Sequence, residues 1–316
     1  MSIPGAIHYG GKMSDLTFRE IEIEDRDKVN DCLEKSGFMS SEYSFPNLFI
    51  WRRRFGYRIA LHAGFLFIMV QDGNDSYYFY PAGEGDIGEA IKAISADSAS
   101  KGSRGYITSA TRENTLLLES IFPGRFRFAA HRDYSDYIYN ADDLINLPGR
   151  KYHSKRNHIS RFIEEYGQIV YQDIDSGNLE ECRSAYGQWL EEKKDKGEDP
   201  KSFSDEATAM EECFSHYRSI GMKGGLIRAR GRLCSFSFGS RINSETFGIH
   251  IEKSLIECQG GYATINREFA ARHAAGFRYI NREEDLGIKG LRRAKLSYHP
   301  VMLLEKYTAP LEGANP

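Results

Sequence analysis

Residues 57–80 read YRIALHAGFLFIMVQDGNDSYYFY, and this stretch decides the fold of the first half of the chain. Most of it consists of three runs rich in aliphatic and aromatic residues: 57–62, 65–71 and 76–80. The dipeptides Ala63-Gly64 and Gly73-Asn74 separate these runs. Runs of this composition, divided by short glycine-containing turns, are typical of consecutive hairpin strands. The stretch therefore predicts three neighbouring antiparallel strands.

Strands and helices alternate on either side of these three strands. Before them we predict a strand and two helices, at 16–23, 24–36 and 45–55. After them we predict a helix ending near 101, a strand at 106–109, a helix at 112–122, and strands at 126–130 and 134–139. The order is strand, two helices, three strands, then helix, strand, helix and a final strand pair.

The second half repeats this order of elements. Its predicted strands are 168–174, 226–230, 233–241, 246–253, 279–282 and 301–307, and its predicted helices are 178–195, 204–219, 260–275 and 289–297. Chance similarity between α/β chains is the alternative explanation. The repeat favours two tandem domains, 15–145 and 146–310, with a basic helix at 150–166 at the junction.

The composition describes a folded and mildly acidic protein. Of the 316 residues, 41% are hydrophobic and 13% aromatic, as in chains that pack a core. The formal net charge is −3, so a polyanion would have to bind a local basic patch. The 5 cysteines are scattered without CxxC or Cys/His spacing, which predicts reduced thiols and no metal site.

Nothing in the sequence indicates export or a membrane span. The start of the chain, MSIPGAIHYGGKMSDL, lacks the basic residues followed by an apolar run of a signal peptide. The longest apolar runs, such as 65–70, have the length of a strand rather than of a transmembrane helix. We therefore predict a cytoplasmic protein.

Four segments carry a resemblance to a known family: SEYSFPNLFIWR (41–52), RKYHSKRNHISRF (150–162), YATINREFA (262–270) and YINREEDLGIKGLRRAKLSYHPV (279–301). They resemble an uncharacterised bacterial family related to the C-terminal domain of phosphatidylglycerol lysyltransferase, over about 16–307. The resemblance implies two tandem GNAT acyltransferase folds, related also to Fem-type aminoacyltransferases, and the order of elements agrees with it. The implied fold class is α/β (α+β), each domain a mixed, mainly antiparallel twisted sheet flanked by helices.

Relatives of known activity move an amino acid from aminoacyl-tRNA to a lipid or a peptide. The resemblance therefore implies an aminoacyl or acyl transferase whose acceptor is a lipid, a peptide or a small amine. In a GNAT domain, donor and acceptor meet where the fourth and fifth strands separate. In the second half these strands are predicted at 246–253 and 279–282.

Polar and charged residues cluster at the ends of these two strands. Strand alternation predicts that His250 and Glu252 lie on one face, where either is a candidate base. Alternatively, Glu252 pairs with Arg282 or with a basic residue of the central helix. Segment 281–287 gathers four charges at a strand end, a position where open α/β sheets bind ligands. We predict Asp285 as a third catalytic residue.

The predicted substrate- or anion-binding residues of this region are Asn281, Arg282, Lys289, Arg292 and Lys295. Basic residues recur at spacings of three and four in this predicted helix, and Lys289, Arg292 and Lys295 share one face, which suits a phosphate or a carboxylate. The alternative is a solvated face paired with Glu283 and Glu284.

A second basic segment, GRKYHSKRNHISRFIEEYG, occupies 149–167. At about 100° per residue, Arg156 falls on the apolar stripe of this helix and needs an anionic partner. Lys151, Lys155 and Arg156 are candidates to contact phosphates of an aminoacyl-tRNA. Two alternatives stay open: the helix binds an anionic ligand in a cleft between the domains, or it locks the two domains together.

The glycine-rich loops bear on the choice of donor. A coenzyme A pyrophosphate loop needs glycine where segment 259–264 (QGGYAT) has Tyr262. In the first half, loop 81–86 (PAGEGD) has glycines but also two carboxylates that would repel phosphate. Both loops favour aminoacyl-tRNA over acyl-coenzyme A, and no tightly bound cofactor is expected. The alternatives are an acyl-coenzyme A-dependent N-acetyltransferase and a non-catalytic binding module on the same fold.

Overall fold

The structure is a computed structural model that describes residues 16–195, 197, 201–255 and 258–311. The stretch 1–15 lies outside the described residues. It contains most of the segment predicted not to be a signal peptide, and it includes residue 15, the predicted start of the first domain.

The first half contains the following elements: β1 (Arg19–Glu20), α1 (Arg26–Ser36), α2 (Phe45–Phe55), β2 (Arg58–His62), β3 (Phe65–Asp72), β4 (Asp75–Phe79), β5 (Ala82–Gly83), α3 (Ile87–Ser100), β6 (Arg104–Ala110), α4 (Arg112–Ile121), β7 (Ala129–Ala130), β8 (Asp136–Asn140) and α5 (Ala141–Asn146). The three strands predicted within 57–80 are present and antiparallel. The turn between the first two places Ala63 and Gly64 at φ 48° and 84°, as a two-residue hairpin turn requires.

The second half contains the following elements: α6 (His153–Tyr166), β9 (Ile169–Asp173), α7 (Leu179–Asp195), α8 (Lys201–His216), β10 (Lys223–Ala229), β11 (Arg232–Arg241), β12 (Thr246–Ser254), α9 (Gly261–His273), β13 (Tyr279–Asn281), α10 (Lys289–Leu296), β14 (Met302–Leu304) and β15 (Tyr307–Pro310). A 3₁₀ turn, Arg150–Tyr152, precedes α6, so the basic helix begins where it was predicted.

The two sheets have the same plan. The first has the order β1-β2-β3-β4-β6-β15-β7, with β5 paired to β3, and the second has the order β9-β10-β11-β12-β13-β8-β14. Each contains one parallel pair, β4 with β6 and β12 with β13, and every other pair is antiparallel. The parallel pair falls at the same position in both sheets.

Each half contributes one strand to the sheet of the other. Strand β8 comes from the first half but lies between β13 and β14, and β15 comes from the end of the second half but lies between β6 and β7. The predicted single strand at 301–307 is therefore two strands, β14 and β15, in different sheets. The division between the two sheets does not fall at residue 145. The predicted domain limits, 15–145 and 146–310, therefore stay a prediction.

The second sheet is covered on both faces. Phe238 of β11 packs against Phe214 and Tyr217, next to α8. The next residue, Gly239, faces the other way, because a side chain there would meet Phe269 of α9. The α8 face also receives α2 from the first half, which packs against α8. Residues of both halves thus enclose the parallel pair β12–β13.

Candidate active site

The parallel pair β12–β13 opens at the predicted position. Its register runs from Thr246 opposite Tyr279 to Gly248 opposite Asn281. There β13 ends, whereas β12 continues to Ser254. The two chains separate beyond Gly248, and the space between them is lined by side chains of β12 and of the segment after β13. We call this space the splay.

A β-bulge corrects the prediction that His250 and Glu252 share a face. Ile251 is opposite Phe238 but Ile249 is opposite Gly239, so His250 is an extra residue in β12. One extra residue reverses the alternation of side chains along a strand. His250 therefore contacts Ser240 on the α2 side, and Glu252 contacts Asn266 of α9 on the other.

His250 is bonded through both of its ring nitrogens. Nδ1 lies 2.9 Å from Glu283 Oε1, and Nε2 lies 2.8 Å from Ser240 Oγ, which lies 2.8 Å from Ser44 Oγ. Only 1% of the side chain is exposed. Glu283 also accepts from Asn47 at 3.2 Å. These contacts favour a role for His250 in positioning Glu283, whose backbone adopts the left-handed φ of 57°.

Glu252 is paired with Arg282, the second of the two alternatives weighed above. Arg282 Nη2 donates to Glu252 Oε2, and Asn266 donates to Oε1 at 2.9 Å. Both carboxylate oxygens therefore have a donor. The catalytic role predicted for Glu252 stays a prediction, and its contacts favour a role in orienting Arg282.

Arg282 and Lys155 form a cationic pair beside the splay. The guanidinium lies 4.6 Å and the ammonium 3.9 Å from the centre of the Tyr298 ring. Burial, with a contribution from nearby Arg282, lowers the pKa of Lys155 to about 8. Lys155 donates to Ser297 Oγ at 2.6 Å and forms no ion pair with a carboxylate of the described residues. The pair thus carries two positive charges against one carboxylate, Glu252.

Arg282 also has hydrogen-bond donors that the described residues do not use. Nε and Nη1 are buried and have no hydrogen-bond partner within the described part of the chain. Buried polar groups are normally satisfied, and an unpaired donor is costly. The Lys155–Arg282 pair is therefore the best candidate for an anion site at the splay, as both residues were predicted to be.

The other two residues predicted on the central helix are occupied differently. Arg156 donates to the backbone carbonyls of Leu147 and Gly149, in the connection that precedes its own helix. These carbonyls, instead of a carboxylate or an anion, accept from its guanidinium. Lys151 pairs with Asp143 at 3.1 Å. Of the two alternatives for this helix, Lys155 favours ligand binding, whereas the contacts of Arg156 stay within the connection before α6 and support neither.

Asp285 anchors α10 to the site. Its fully buried carboxylate accepts from Arg292 at 2.7 and 2.9 Å, from Arg132 at 3.1 Å, from Tyr137 and from the backbone of Gly287. Hydrogen bonds from Arg292 are the main cause that keeps the pKa of Asp285 well below its ordinary value. A carboxylate of this kind is a weak base. Its contacts favour an anchoring role over the predicted catalytic one.

Two further predicted residues fix the segment after β13. Lys295 Nζ donates to the backbone carbonyls of Arg282 and Glu284. Asn281 donates at 2.8 Å to Asp136 and to the carbonyl of Met39, and its own oxygen accepts from the backbone of Glu283. The charged face of α10 is therefore partly turned inward, and the solvated alternative applies only to Lys289, which is exposed.

An acidic cluster between the halves was not predicted. Lys306 Nζ lies 2.7 Å from Glu42, 2.8 Å from Asp136 and 3.8 Å from Glu284. Three carboxylates thus surround one lysine. These residues come from four separate parts of the chain, and the sequence signal for the cluster was confined to the acidic segment 283–285.

Glu284 is the carboxyl group of this cluster that is best suited to proton transfer. Burial raises its pKa to about 7, Lys306 opposes the rise, and the Asp136 and Glu283 carboxylates add to it. Its side chain is 27% exposed, so it can be reached. A base with a pKa near the working pH is the most effective general catalyst.

We expect replacement of Asp285 by asparagine to lower the free energy of unfolding by about 2–3 kcal/mol at neutral pH, because charged hydrogen bonds in a buried site are lost. An unfolded aspartate has a pKa of about 3.9. Because the folded pKa is lower, the stabilisation is present above that value and disappears as the pH falls toward the folded pKa. Denaturant unfolding of both proteins at pH 7 and in acid measures this.

The matched control is Asp133→Asn, because Asp133 bonds the same Arg292 but is 55% exposed. We expect it to cost less than about 1 kcal/mol. Equal effects of the two substitutions would contradict the anchoring role. A large loss of transfer rate in Asp285→Asn without loss of stability would support a catalytic role instead.

The fold defines the class of the protein: a pair of tandem GNAT-like folds, with the splay as a candidate site in the second. The family described as "Phosphatidylglycerol lysyltransferase, C-terminal" matches residues 34–310, and the chain belongs to this family. The resemblance found in the sequence is confirmed. The family takes its description from a transferase.

Solved structures agree with this assignment. A conserved protein of unknown function from Bacteroides thetaiotaomicron is 36% identical, with a TM-score of 0.89 over 94% of this chain and 100% of that one. L-PGS from Bacillus licheniformis has a TM-score of 0.62 at 15% identity, over 90% of this chain and 91% of that one. FemX has a TM-score of 0.55 at 9% identity, over 93% and 97% respectively. The last two show the fold alone.

One curated protein is also similar. An uncharacterised protein of Mycoplasmoides gallisepticum is 21% identical over 183 residues, which is 56% of either chain. The match thus spans little more than half the length of that relative. Among the described residues, we find no helix that is long and apolar enough to cross a bilayer.

Proposed function

We propose that this protein transfers an aminoacyl group from aminoacyl-tRNA to a hydroxyl or amine of a lipid, a peptide or a small molecule. The observation that carries the proposal is the cationic pair Lys155–Arg282 beside the splay, with unused buried donors on Arg282. Aminoacyl-tRNA is an ester attached to a polyanion, so its binding needs positive charge close to the reacting carbonyl. Membership of the family supports the same reaction class.

The chemistry requires one base and one anion site. The acceptor oxygen or nitrogen attacks the ester carbonyl and forms the new bond. The Glu284 carboxylate takes the proton of the acceptor, and the ribose oxygen leaves and receives that proton in return. Glu284 follows Arg282 by two residues, and Lys295 bonds both of their carbonyls, so base and anion site are fixed to each other.

The start of α9 supports the choice of donor. A coenzyme A pyrophosphate would lie against the turn at 260–262, but a Cβ atom on Gly260 would lie only 2.5 Å from the carbonyl oxygen of His158. Helix α6 therefore already fills the space next to this turn. Tyr262, which replaces the expected glycine, is 49% exposed. These contacts disfavour a pyrophosphate and favour a donor that binds from the side of Lys155.

Thermal-shift and transfer assays on the full chain test the proposal. We expect stabilisation by tRNA carrying an amino acid, and release of deacylated tRNA when bacterial lipid extract, peptidoglycan precursor peptide or polyamine is added. Stabilisation and turnover with acetyl-coenzyme A alone would overturn the proposal in favour of an N-acetyltransferase. A response to neither donor would favour the non-catalytic binding module.

Binding of the donor should depend on the charge of Lys155. Because its pKa is lowered to about 8, the ammonium is charged below that pH and neutral above it, so donor affinity should fall as the pH rises through 8. Lys155→Met should weaken binding of aminoacyl-tRNA about fivefold to tenfold at pH 7, the loss of one charged hydrogen bond. Filter binding across pH 6–9 measures both the effect of pH and the effect of the substitution. Each removes about one positive charge from the site.

Two variants separate charge from shape in this experiment. Lys155→Arg keeps its charge throughout the range, so it should keep most of the affinity and lose the pH dependence. Lys151→Met on the same helix is the control, because Lys151 already pairs with Asp143 and should change affinity little. If Lys151→Met weakens binding as much as Lys155→Met, the anion site lies elsewhere on α6.

A further inference from the structure

Exposed apolar side chains are concentrated around α10. Fourteen large hydrophobic side chains of the described residues are exposed, and six of them lie within 286–302. These six are Leu286, Ile288, Leu291, Leu296, Val301 and Met302. The first two are 55% exposed each, and φ values of 51° at Leu286 and 74° at Gly287 form the turn that carries them. Clusters of this kind mark interaction surfaces.

The same surface is positively charged. Helix α10 reads KGLRRAKL and contains no acidic residue. Arg292 and Lys295 are used internally, as described above. Lys289 and Arg293 are exposed and form no ion pair with a carboxylate of the described residues. The outward charge of the helix is therefore supplied by these two residues.

A shallow groove lies on this side of α10. It has a volume of 510 Å³ and is lined by Lys289, Arg292, Arg293, Leu296 and Ser297. Ser297 is the residue that accepts from Lys155, and α10 is attached to the segment after β13 through Lys295 and Asp285. A partner bound to α10 would thus be adjacent to the splay.

We propose that the α10 surface, defined as Leu286, Ile288, Lys289, Leu291, Arg293 and Leu296, docks the protein onto an anionic lipid bilayer. A short basic helix with exposed aliphatic side chains fits the boundary between headgroups and acyl chains. Charge complementarity selects an anionic bilayer over a neutral one. The docked surface would hold α10, and with it the attached segment after β13, close to molecules in the membrane.

Two other partners fit the surface less well. RNA would pair with the basic residues, but it would leave the aliphatic side chains exposed to water, since single-stranded RNA stacks on aromatic residues instead. A second copy of the chain, related by a two-fold axis, would bring the same positive charges together. Both are outcomes that the following experiment distinguishes.

Co-sedimentation of the full chain with vesicles tests the proposal, and it requires no transferase activity. We expect binding to vesicles that contain phosphatidylglycerol or phosphatidylserine in phosphatidylcholine, much weaker binding to phosphatidylcholine alone, and loss of binding at high salt. Lys289→Glu with Arg293→Glu should weaken binding by at least about fivefold for each charge removed. Leu286→Ser with Ile288→Ser should weaken it about tenfold or more, because aliphatic side chains no longer insert.

The matched control is Leu116→Ser with Leu117→Ser on α4, where two leucines are 57% and 45% exposed on a helix that also contains two glutamates. Circular dichroism should show that every variant is folded. An equal loss of binding in the control, or equal binding to neutral and anionic vesicles, would overturn the proposal. So would binding to only one of the two anionic lipids, which indicates a headgroup pocket instead of a docking surface.

Two further results would assign the surface to another partner. If the charge variant loses affinity for tRNA and keeps its affinity for vesicles, the surface binds RNA. If the apolar variant abolishes a dimer observed by light scattering and leaves vesicle binding unchanged, the surface binds a second copy. Either result overturns the membrane proposal, whereas the proposed transfer reaction is judged separately with a soluble acceptor.

Discussion

Replacement of Glu284 by glutamine is expected to lower the rate constant of transfer by about 10²–10⁴-fold, the usual contribution of a general base. The substitution keeps the size of the side chain and removes only its ability to take a proton. Because burial raises the pKa of this carboxyl group to about 7, the neutral form is already favoured in acid. The variant should therefore fold as well as the parent protein.

The pH dependence expected for the proposed transfer by the parent protein follows from the same group. Glu284 must be ionised to act as a base, so kcat/KM should rise as the pH increases through 7. Loss of charge on Lys155 should lower kcat/KM as the pH increases through 8. The profile is then a narrow bell with its maximum between these two values. Glu284→Gln should remove the acid limb, and Lys155→Arg should remove the alkaline limb.

A second, exposed carboxylate serves as the control for Glu284→Gln. Glu245, whose side chain is 61% exposed and lies 3.9 Å from Arg278, should be replaceable by glutamine without effect on rate. An acid limb that persists in Glu284→Gln would assign the base to another group. In that case Glu252→Gln and His250→Gln, the earlier predictions, are the next variants to measure.

The largest loss of stability is expected for Lys306→Met. Lys306 is the cation that three carboxylates surround, and Asp136, its partner at 2.8 Å, is fully buried. Removal of one partner of a buried ion pair leaves an uncompensated charge and costs about 3–5 kcal/mol. The effect should be large here also because Lys306 lies between β14 and β15, where the chain passes from one sheet to the other.

Chemical denaturation of three variants tests this expectation. Lys306→Met combined with Asp136→Asn should recover at least about 1–2 kcal/mol, because the unpaired carboxylate is removed as well. Lys35→Met is the control, since Lys35 and its partner Asp31 are 44% and 64% exposed and the substitution should change the stability little. A cost for Lys306→Met close to that of the control would show that the carboxylates of the cluster are neutral in the folded protein.

Local sequence patterns predicted most of the helices and strands and some of the residues of the candidate site. Alternating runs and glycine turns located β2, β3 and β4, and α2 begins and ends at the residues predicted for it. The short edge strands were less predictable: β1 and β7 contain two residues each, because edge strands need few paired groups. Lys155 and Arg282 were each predicted as anion-binding candidates because their charges stand out in their own segments, and the structure brings the two side chains together at Tyr298.

The errors have a common physical cause, which is that long-range contacts decide them. Alternation along β12 placed His250 and Glu252 together, but a bulge set by pairing with β11 separates them. Glu284 was one of several acids in a charged segment, and its pKa is raised mainly by burial, with further contributions from the carboxylates of Asp136 and Glu283.

The sequence by itself determined the order of most elements, because strand and helix periodicity are local properties of the chain, and its motifs, such as 279–301, indicated the family. Only the tertiary structure decided how the halves are joined and which candidate residues lie together. The exchange of β8 and β15 brings Glu42, Asp136, Glu284 and Lys306 together from distant parts of the chain. Proton affinity depends on burial and on neighbouring charges, and both are set by that exchange.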